Sequence, residues 1–426
     1  MPSLRLDLIK RYLKPHKKEL FLGGIALIIV NILSVRIPLE VKSIIDELKD
    51  GFIMSSILKE SIWIIILASL MGFIRLLSRQ LVFGVGRQVE VELRQRLFNH
   101  MLTQEPDWVK EIGSGEVISR ATSDIENIRR LLGFAILSLT NTFLAYLFTL
   151  PAMFAINPLL TIAAISLYPI MLATVGLFGG RMVMQRKSQQ ESLSKLTELI
   201  QEDLSGISAI KIYGQENAEQ KAFSEKNNNY RDAAINLART ASTLFPLLQG
   251  ISSISLLVLL ALGSGFLQNG LLTIGGLVAL ILYVERLVFP TALLGFTLNT
   301  FQLGQVSLER VEELLRREPE IKNKTKNLTL KDKFMGKLQI KNFTFRYDKS
   351  NKNVLNGITF SIEPGELVAI VGPVGCGKTT LSKALGRMLK IKKGQIFIDD
   401  HDITDLRLED LRKNIAFVPQ EGYLFT

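Results

Sequence analysis

Two long blocks without a charged residue constrain the fold of this chain more than any other feature of its sequence. The segments 131–180 and 240–284 contain 50 and 45 consecutive residues without Asp, Glu, Lys or Arg. A helix needs about 20 apolar residues to cross a bilayer, so each block predicts two membrane spans. Turn-forming residues interrupt the blocks at Asn157-Pro158 and at Gln268-Asn269-Gly270, and we expect the chain to reverse there.

Two earlier segments add one span each. Leu20 to Leu39 carries only Arg36, and Ser61 to Gly86 carries only Arg75 and Arg79. The sequence therefore predicts a polytopic α-helical membrane domain with six transmembrane helices. The composition, with 47% hydrophobic and 21% charged residues, agrees, because a soluble core of this size needs fewer apolar side chains.

The distribution of Lys and Arg orients these spans. Six, eight and nine Lys and Arg residues lie in the segments 1–19, 79–130 and 181–239. Only four lie in the alternating connections, all of them in 36–60 and none in 157–158 or 267–272. Basic residues accumulate on the cytoplasmic side of membrane proteins, so the amino terminus is predicted to be cytoplasmic in the cell membrane. Leu4 to Leu13 is either an amphipathic helix on the membrane surface or a disordered basic tail.

The long connections on the cytoplasmic side keep a helical periodicity. Arg79 to Arg130 and Arg181 to Arg239 are 52 and 59 residues long, and structureless loops of this length are uncommon. We expect the spans to continue as helices into the cytoplasm, reverse there and present a small exposed helix.

The surplus of basic residues does not indicate nucleic acid. Ten of the eleven net positive charges lie in residues 1–19 and 308–353, which flank spans on the cytoplasmic side, where such charge suits topology and anionic headgroups. We therefore expect no nucleic-acid partner. The single cysteine, Cys376, excludes a disulfide framework, and three histidines make a zinc enzyme improbable.

The pattern changes beyond Ser307. Leu308 to Lys326 is charged and helix-like, the sequence LQIKNFTFRYD from Leu338 alternates as a strand does, and Leu367 to Val371 is a continuous apolar run. Such a run is typical of a buried parallel strand. It leads into GPVGCGKTT, residues 372–380, which matches the phosphate-loop pattern G-x-x-x-x-G-K-[ST] in its strand, loop and helix context.

This motif predicts an ATP site with Mg²⁺ in an α/β domain. Lys378 would neutralise the β and γ phosphates, Thr379 would offer its hydroxyl to magnesium, and Thr380 could contact a phosphate oxygen. The candidate nucleotide-binding residues of the loop are Gly372, Gly375, Cys376, Gly377, Lys378, Thr379 and Thr380. A seventh span at 287–307 would place this site outside the cell, so we predict one long helix from Leu271 to Ser307.

The sequence resembles the half-transporters of the ATP-binding cassette (ABC) exporter family, of the multidrug or lipid exporter type. Gly115 to Asp124 (GEVISRATSD) resembles the first cytoplasmic hairpin of that family, and IKIYGQENAEQKAF from Ile210 resembles the second. The segment LERVEELLRREPEI after Ser307 is similar to the connector to the nucleotide-binding domain. The resemblance implies ATP-driven export of a hydrophobic or amphipathic solute by a homodimer or a heterodimer with another half-transporter.

Two further residues take their expected roles from the resemblance alone. Tyr347 matches the aromatic residue that stacks on adenine, and Gln420, in VPQEGYLF from Val418, matches the glutamine that senses magnesium and the γ-phosphate. Gln420 is thus the candidate catalytic residue, and Thr379 and Gln420 are the candidate metal ligands.

The resemblance also predicts segments that this sequence does not show. The family's signature, its Asp-Glu strand and its switch histidine follow the glutamine, and the sequence continues for six residues after Gln420. Two similar stretches, Ile396 to Asp400 and Leu204-Ser205-Gly206, stand in the wrong places. We expect an incomplete α/β phosphate-loop domain, truncated after the glutamine loop, with little or no turnover and with an exposed strand edge. A non-hydrolytic subunit that regulates or pairs with a complete partner is the alternative.

The resulting domain prediction is an amphipathic segment at 1–19, a membrane domain at 20–307, a linker at 308–337 and a nucleotide-binding part at 338–426. Within the spans, ionisable residues are costly and informative. Arg75, Glu285 and Arg286 either line a polar path or, for the last two, pair or reach the headgroups. Four polar residues are expected to hydrogen-bond between helices rather than bind ligand: Asn31, Ser34, Asn141 and Thr142.

Overall fold

A computed structural model describes residues 6–49, 54–323, 335–347 and 351–420. The chain forms two compact units. The first, which we call the helical unit, contains Met1–Glu92 and Asp124–Glu309, and the second, the sheet unit, contains Leu93–Ser123 and Arg310–Thr426. Residues 4 and 5 of the predicted surface helix lie outside the described residues, and Leu6–Leu13 is helical.

Helices make up nearly all of the chain up to residue 316. They are α1 Leu6–Leu13, α2 Lys17–Lys49, α3 Met54–Thr103, α4 Pro106–Ile112, α5 Ser114–Ser119, α6 Ile125–Arg130, α7 Ile136–Ile156, α8 Pro158–Ile165, α9 Tyr168–Ser205, α10 Ile207–Ile212, α11 Glu216–Gln268 and α12 Ile274–Arg316. A 3-10 turn joins α1 to α2, and π-helical turns at Arg120–Asp124 and Leu131–Ala135 join α5, α6 and α7.

Within the described residues, six helical stretches are long and apolar enough to cross a membrane. We number these spans 1 to 6: Asp7–Leu48, Ile57–Thr103, Ser114–Ile156, Pro158–Ser205, Glu216–Gln268 and Ile274–Arg316. The prediction of six spans is confirmed. The stretch 287–307 adds no seventh span, because α12 continues through it as one helix.

Both predicted reversals between spans occur at the expected residues. The side chain of Asn157 accepts a hydrogen bond from the backbone N–H of Leu160 at 3.1 Å, which caps the helix that begins at Pro158. Gly270 follows the end of α11 with a φ of +67°, a conformation that glycine adopts without steric cost. Short-range turn chemistry therefore divides each uncharged block into two spans.

The long connections are helical, as predicted. Span 2 continues without a break to Thr103, and α4, a helix of seven residues, precedes the return. Span 4 continues to Ser205, and α10, a helix of six residues, precedes α11. Each hairpin thus ends in a short helix, which we call the first tip (α4) and the second tip (α10).

Tyrosine hydroxyls tie the core of the helical unit together. The hydroxyl of Tyr168 donates to the carbonyl oxygen of Val284, and that of Tyr283 donates to the carbonyl oxygen of Val35, both at 2.7 Å. These bonds satisfy buried polar groups where no water competes. Large apolar side chains such as Leu177 point outward, as expected for helices surrounded by hydrocarbon rather than water.

Among its described residues, the sheet unit forms four antiparallel strands in the order β2-β1-β3-β4. The strands are β1 Leu338–Phe345, β2 Leu355–Ile362, β3 Ile396–Ile398 and β4 His401–Asp402, and the helices α13 Lys378–Leu385 and α14 Leu408–Lys413 accompany them. Apolar residues from strands and helices form one core, including Ile340, Phe343, Leu381, Ile396 and Leu411. The predicted alternating strand from Leu338 is confirmed.

The predicted buried strand at Leu367–Val371 is wrong for this structure. No strand is formed there, and Leu367 and Val371 are 98% and 90% exposed. An apolar run becomes a buried parallel strand only when other strands lie on both sides of it. The sheet of the described residues is antiparallel and includes none that pairs with 367–371. The expected exposed edge belonged to this strand and is therefore absent as well, whereas the predicted fold class, a helical membrane domain followed by a partial sheet-containing domain, is confirmed.

Candidate functional site

The phosphate loop folds as a tight turn that ends at the first residue of α13. Gly375 and Gly377 have φ angles of +83° and +97°, which favour glycine. A Cβ on Gly377 would lie 2.6 Å from a methyl group of Leu355, so only glycine allows the loop to pack against β2. Lys378 begins the helix, and its amide lies at the positive end of the helix dipole, where anions are stabilised.

The Lys378 ammonium bends back over the loop. Its Nζ donates to the carbonyl oxygens of Gly372 at 2.7 Å and Pro373 at 2.9 Å, and it lies 3.7 Å from the Sγ of Cys376. The loop therefore holds a positive charge against its own backbone, with the exposed thiol beside it. The predicted loop residues thus form one tight turn before α13, and their role in nucleotide binding stays a prediction.

The two threonines of the motif have different surroundings. Thr379 is exposed at the first turn of α13, whereas Thr380 is buried and its hydroxyl lies 3.2 Å from the hydroxyl of Tyr347. The Tyr347 ring is half-buried and packs edge-to-face on Phe345 at 5.0 Å between centroids. Tyr347 thus lies beside α13, the helix that follows the phosphate loop and that we call the loop helix. Its stacking on adenine stays a prediction.

Gln420 is the last residue of the described part of the chain. It is exposed, and no hydrogen bond joins its side chain to another described residue. Val418, two residues earlier, is 91% exposed. The structure therefore places Gln420 at the surface, and its catalytic role stays a prediction.

A magnesium ion at the phosphate loop would be bound through oxygen atoms, which are the ligands that Mg²⁺ prefers. Within the described ranges, no cluster of three or more His, Cys, Asp or Glu side chains could hold a metal. Mg²⁺ is usually held by few protein groups together with phosphate oxygens and water. The exposed hydroxyl of Thr379 suits such a site.

An ion pair joins the loop helix to the first tip, and the sequence did not reveal it. The Nζ of Lys383, in the last turn of α13, lies 3.0 Å from an Asp107 carboxylate oxygen in α4. The two residues are 276 positions apart, and both belong to the sheet unit. A basic residue near a helix carboxyl terminus is common, so no sequence signal distinguished Lys383.

The first tip also contacts the segment that follows α12. One carboxylate oxygen of Glu105 accepts hydrogen bonds from the backbone N–H groups of Glu320 at 2.7 Å and Ile321 at 3.1 Å. The guanidinium of Arg317 lies 4.7 Å from the centroid of the Trp108 ring, within range of a cation–π interaction. The first tip is therefore held by charge, hydrogen bonds and an aromatic ring within its own unit.

The buried Arg387 and the more exposed Arg412 fix the far end of the loop helix. Arg387 donates to the carbonyl oxygens of Ile403 and Leu406 at 3.1 and 3.0 Å, and Arg412 donates to that of Gly386 at 3.3 Å. Burial lowers the pKa of both guanidinium groups. Since guanidinium titrates far above neutral pH, both stay charged and tie α13 to β4 and α14.

The two stretches that resemble missing motifs have ordinary structural roles. Asp399 and Asp400 form the turn between β3 and β4 with φ angles of +46° and +62°, as in a two-residue hairpin turn with positive φ. The Asp399 carboxylate accepts hydrogen bonds from the backbone N–H groups of Met335, Gly336 and Lys337. Leu204-Ser205-Gly206 ends α9 in a membrane hairpin, as the sequence indicated.

Polar residues meet between the spans of the helical unit. The amide of Asn31 donates to Asn141 Oδ1 at 3.3 Å, which confirms the predicted bond between helices, whereas Ser34 bonds within its own helix. Arg286 donates to Asn31 Oδ1 at 2.9 Å. Glu285 is exposed, and within the described helices it forms no ion pair with Arg286.

Two family models match the chain, one over most of its long helices and one over part of its sheet-containing segment. Residues 20–291 match the ABC transporter transmembrane region, and residues 355–426 match the ABC transporter family. The first match alone covers more than half of the chain and overlaps all six spans, although span 6 continues beyond it to Arg316.

Curated relatives align along almost the whole chain. A putative multidrug export ATP-binding/permease protein of Bacillus subtilis is 26% identical over 430 residues, covering 99% of this chain and 74% of the relative. A multidrug resistance-like ATP-binding protein of Buchnera aphidicola is 27% identical over 424 residues, 99% of this chain and 73% of the relative. A putative multidrug export ATP-binding/permease protein of Staphylococcus aureus is 28% identical over 433 residues, 98% and 74%.

The order of the domains decides the type of transporter. Six spans precede one phosphate loop in a single chain, and the aligned relatives carry the same combination of permease and ATP-binding parts in their names. The chain therefore belongs to the ABC transporters, as a half-transporter of the exporter group whose relatives include multidrug export proteins.

Proposed function

We propose that this chain is a subunit of an exporter that uses ATP binding and hydrolysis to move a hydrophobic or amphipathic solute across the cell membrane. The alternation of basic segments supports a cytoplasmic amino terminus and a cytoplasmic nucleotide site. The apolar spans favour a solute that partitions into the bilayer. The multidrug export names of the relatives support the same substrate class.

The ion pair between Lys383 and Asp107 carries this proposal. Lys383 lies in the helix that begins at the phosphate loop, and Asp107 lies in the tip that joins spans 2 and 3. A shift of α13 when phosphates bind would therefore act on the ends of two membrane helices through a direct contact. A phosphate site without such a connection would bind nucleotide but would have no route to the spans.

The loop residues suit a nucleoside triphosphate. The backbone amides at the start of α13 face an anion, and phosphate oxygens would replace the carbonyl oxygens of Gly372 and Pro373 as acceptors of Lys378. The hydroxyl of Thr379 and the amide oxygen of Gln420 would hold Mg²⁺, and Tyr347 would stack on adenine. Bound Mg²⁺ supplies positive charge that offsets the phosphate oxygens.

The second tip supports assembly with another half-transporter subunit. Ile212 and Tyr213 are 78% and 75% exposed, and α10 carries four apolar residues in six. An exposed apolar helix end beyond the membrane is a typical protein contact. We assign it to a second subunit, which is either another copy of this chain or a related half-transporter.

A second candidate function has one observation in its favour. The segment 367–371 is exposed and forms no strand in the described sheet, so the loop that follows it has no strand to support it on that side. Such a chain would bind ATP but hydrolyse little, and it would regulate or pair with a complete partner.

Nucleotide binding and transport, measured together, separate the two candidates. The chain is reconstituted in vesicles, and trinitrophenyl-ATP binding, phosphate release and ATP-dependent movement of a dansyl lipid are recorded. Lys378→Ala is expected to weaken nucleotide binding at least about tenfold, whereas the exposed Lys393→Ala is the matched control. Movement with phosphate release supports the exporter, and binding without release supports the second candidate. A wild-type chain that binds no nucleotide contradicts both.

The single cysteine provides an independent check of the loop. Cys376 is exposed beside Lys378, and it is the one cysteine of the sequence. N-ethylmaleimide is expected to label it and to block trinitrophenyl-ATP binding, and MgATP is expected to protect it. Equal labelling with and without MgATP would count against the loop as the nucleotide site.

A further inference from the structure

Three arginines line a cavity of about 270 Å³ in the helical unit. Arg75 and Arg79 come from span 2 and Arg286 from span 6, and spans 1 and 3 complete the wall. The residues that line this cavity include no Asp or Glu. A site with three cations and no anion inside a membrane protein requires an explanation, because charge is costly at that depth.

The Arg286 side chain is only partly satisfied by the protein. Its Nη2 donates to Asn31 Oδ1 at 2.9 Å, but its buried Nη1 has no hydrogen-bond partner among the described atoms. Asn31 has no further capacity to donate toward the cavity, since its Nδ2 donates to Leu27 O and Asn141 Oδ1. Asn31 therefore orients Arg286 without neutralising it.

Arg75 and Arg79 also lack a carboxylate partner within the described helices. Arg75 lies 3.7 Å from the sulfur of Met71, a weak acceptor. Two arginines elsewhere in the same unit are paired: Arg36 bonds Glu40 at 2.7 Å, and Arg130 bonds Glu126 at 3.0 Å. The three arginines of this cavity share one wall without such a carboxylate.

Two of the cations lie well inside the bilayer. Arg286 is twelve residues after the start of α12, which is about 18 Å along the helix, and Asn31 is eleven residues after Leu20, about 16 Å. Arg75 is fourteen residues after Ser61, about 21 Å. In a hydrocarbon core of about 30 Å, Arg286 and Asn31 therefore lie near the middle, and Arg75 lies about 9 Å from the opposite face.

The uncharged part of the cavity wall combines apolar side chains with the polar residues Asn31, Ser34, Ser78 and Asn141. Leu27, Val30, Leu137 and Phe289 line it together with the arginines. Guanidinium groups recognise carboxylate and phosphate by paired hydrogen bonds, and the volume suits such a group rather than a whole long-chain molecule. We propose that this cavity binds the anionic group, phosphate or carboxylate, of an amphiphile whose hydrocarbon chain extends along the apolar wall.

This site narrows the proposed export substrate to an anionic amphiphile, and that step rests on the proposed function. The binding itself does not require ATP. Binding measurements without nucleotide can therefore fail or succeed independently of the transport test.

The first test compares a charged and an uncharged ligand with the same tail. The whole chain in a neutral detergent is titrated with the fluorescent fatty acid cis-parinaric acid and with its methyl ester. The acid is expected to bind at least about tenfold more tightly than the ester. Equal affinities for the wild-type chain would overturn the proposal without reference to any variant.

Variants locate the binding. Arg286→Gln and Arg75→Gln are each expected to weaken parinaric acid binding at least about fivefold and to leave the ester unchanged, and Arg286→Lys is expected to recover part of the loss. Arg36→Gln, an exposed arginine outside the cavity, is the matched control. Wild-type affinity in both Gln variants would overturn the proposal. Arg75→Gln keeps the test valid if Arg286→Gln does not fold.

A second experiment identifies whether the bound anionic group comes from a bilayer lipid or from a free amphiphile. Native mass spectrometry follows retention of dioleoyl phosphatidylglycerol and phosphatidylcholine by the wild-type chain and by Arg286→Gln. Selective retention of phosphatidylglycerol that the variant loses assigns the site to a bilayer lipid headgroup. Parinaric acid binding without such retention assigns it to a free amphiphile, and failure of both ligands overturns the proposal.

Discussion

The two hairpin tips have the same architecture and opposite surroundings. The first tip, α4, has the sequence PDWVKEI and is held within the sheet unit by Asp107, Trp108 and the preceding Glu105. The second tip, α10, has the sequence ISAIKI and ends in the exposed pair Ile212 and Tyr213. Charged and aromatic groups therefore mark the tip that contacts its own chain, and apolar groups mark the tip that we propose to contact a second subunit.

This comparison leads to different costs for a substitution at each tip. A charge placed in an apolar contact with a partner must lose its water without gaining a counter-ion, which costs several kcal/mol. Loss of one hydrogen bond or ion pair within a solvated contact costs much less. We therefore expect the largest effects at the second tip and on assembly, and smaller effects at the first tip and on local opening.

The largest expected effect is that of Ile212→Asp on subunit assembly. Because the aspartate would enter an apolar contact with the second subunit, the dissociation constant of the dimer should rise by about a hundredfold or more. Mass photometry of the chain in lipid nanodiscs with MgATP measures the dimer fraction. Ile118→Asp, an exposed isoleucine in the first hairpin, is the control and should leave the dimer intact. An equal loss of dimer in both variants would show that the second tip is not the specific contact between subunits.

A smaller effect is expected for Glu105→Ala at the first tip. The carboxylate accepts two backbone N–H groups, those of Glu320 and Ile321, and charge-assisted bonds of this kind contribute about 1.5–3 kcal/mol. Hydrogen exchange of these two amides should accelerate by about tenfold or more. Glu116→Ala, at a residue that pairs with Arg120 on the surface, should leave their exchange unchanged. Unaltered exchange in Glu105→Ala would show that the tip is held by other contacts.

The sequence could predict features that depend on neighbouring residues, and it could not predict features that depend on residues far along the chain. The six spans, the reversals at Asn157 and Gly270 and the loop at 372–380 follow from hydropathy and short-range turn chemistry, and the structure has them. The segment 367–371 was misjudged because burial of a strand depends on neighbours elsewhere in the chain. Its apolar composition is the same whether those neighbours are present or not.

Side-chain partners at long range were the other part that sequence reasoning did not reach. Glu285 and Arg286 are adjacent in the sequence, yet Arg286 bonds Asn31, which is 255 residues away. The helical positions of Arg286 and Asn31 had to be known before that contact could be inferred. Lys383 and Asp107 present the same difficulty, since each looks like an ordinary charged residue near the end of a short helix.

An intermediate effect is expected for Trp108→Leu, which removes the aromatic face beneath Arg317. A cation–π contact at a partly exposed site contributes about 0.5–1 kcal/mol, and leucine keeps most of the apolar volume. Exchange of the α4 amides should therefore rise by about two- to fivefold. Trp63→Leu, an exposed tryptophan in span 2, serves as the control. A rise in both variants would indicate a general loosening instead of a local contact.

The smallest expected effect is at the Lys383–Asp107 ion pair, although it carries the proposed connection to the spans. Its side chains are 27% and 44% exposed, so water and salt screen the attraction and reduce it to about 0.2–1 kcal/mol. A double-mutant cycle with Asp107→Asn, Lys383→Gln and the double variant, read by hydrogen exchange of α4, should give a coupling of that size. At 1 M salt, where the Debye length is about 3 Å, the coupling should largely disappear. Additive effects at low salt would mean that the pair is a surface contact without energetic connection, and they would contradict the proposed route from the loop to spans 2 and 3.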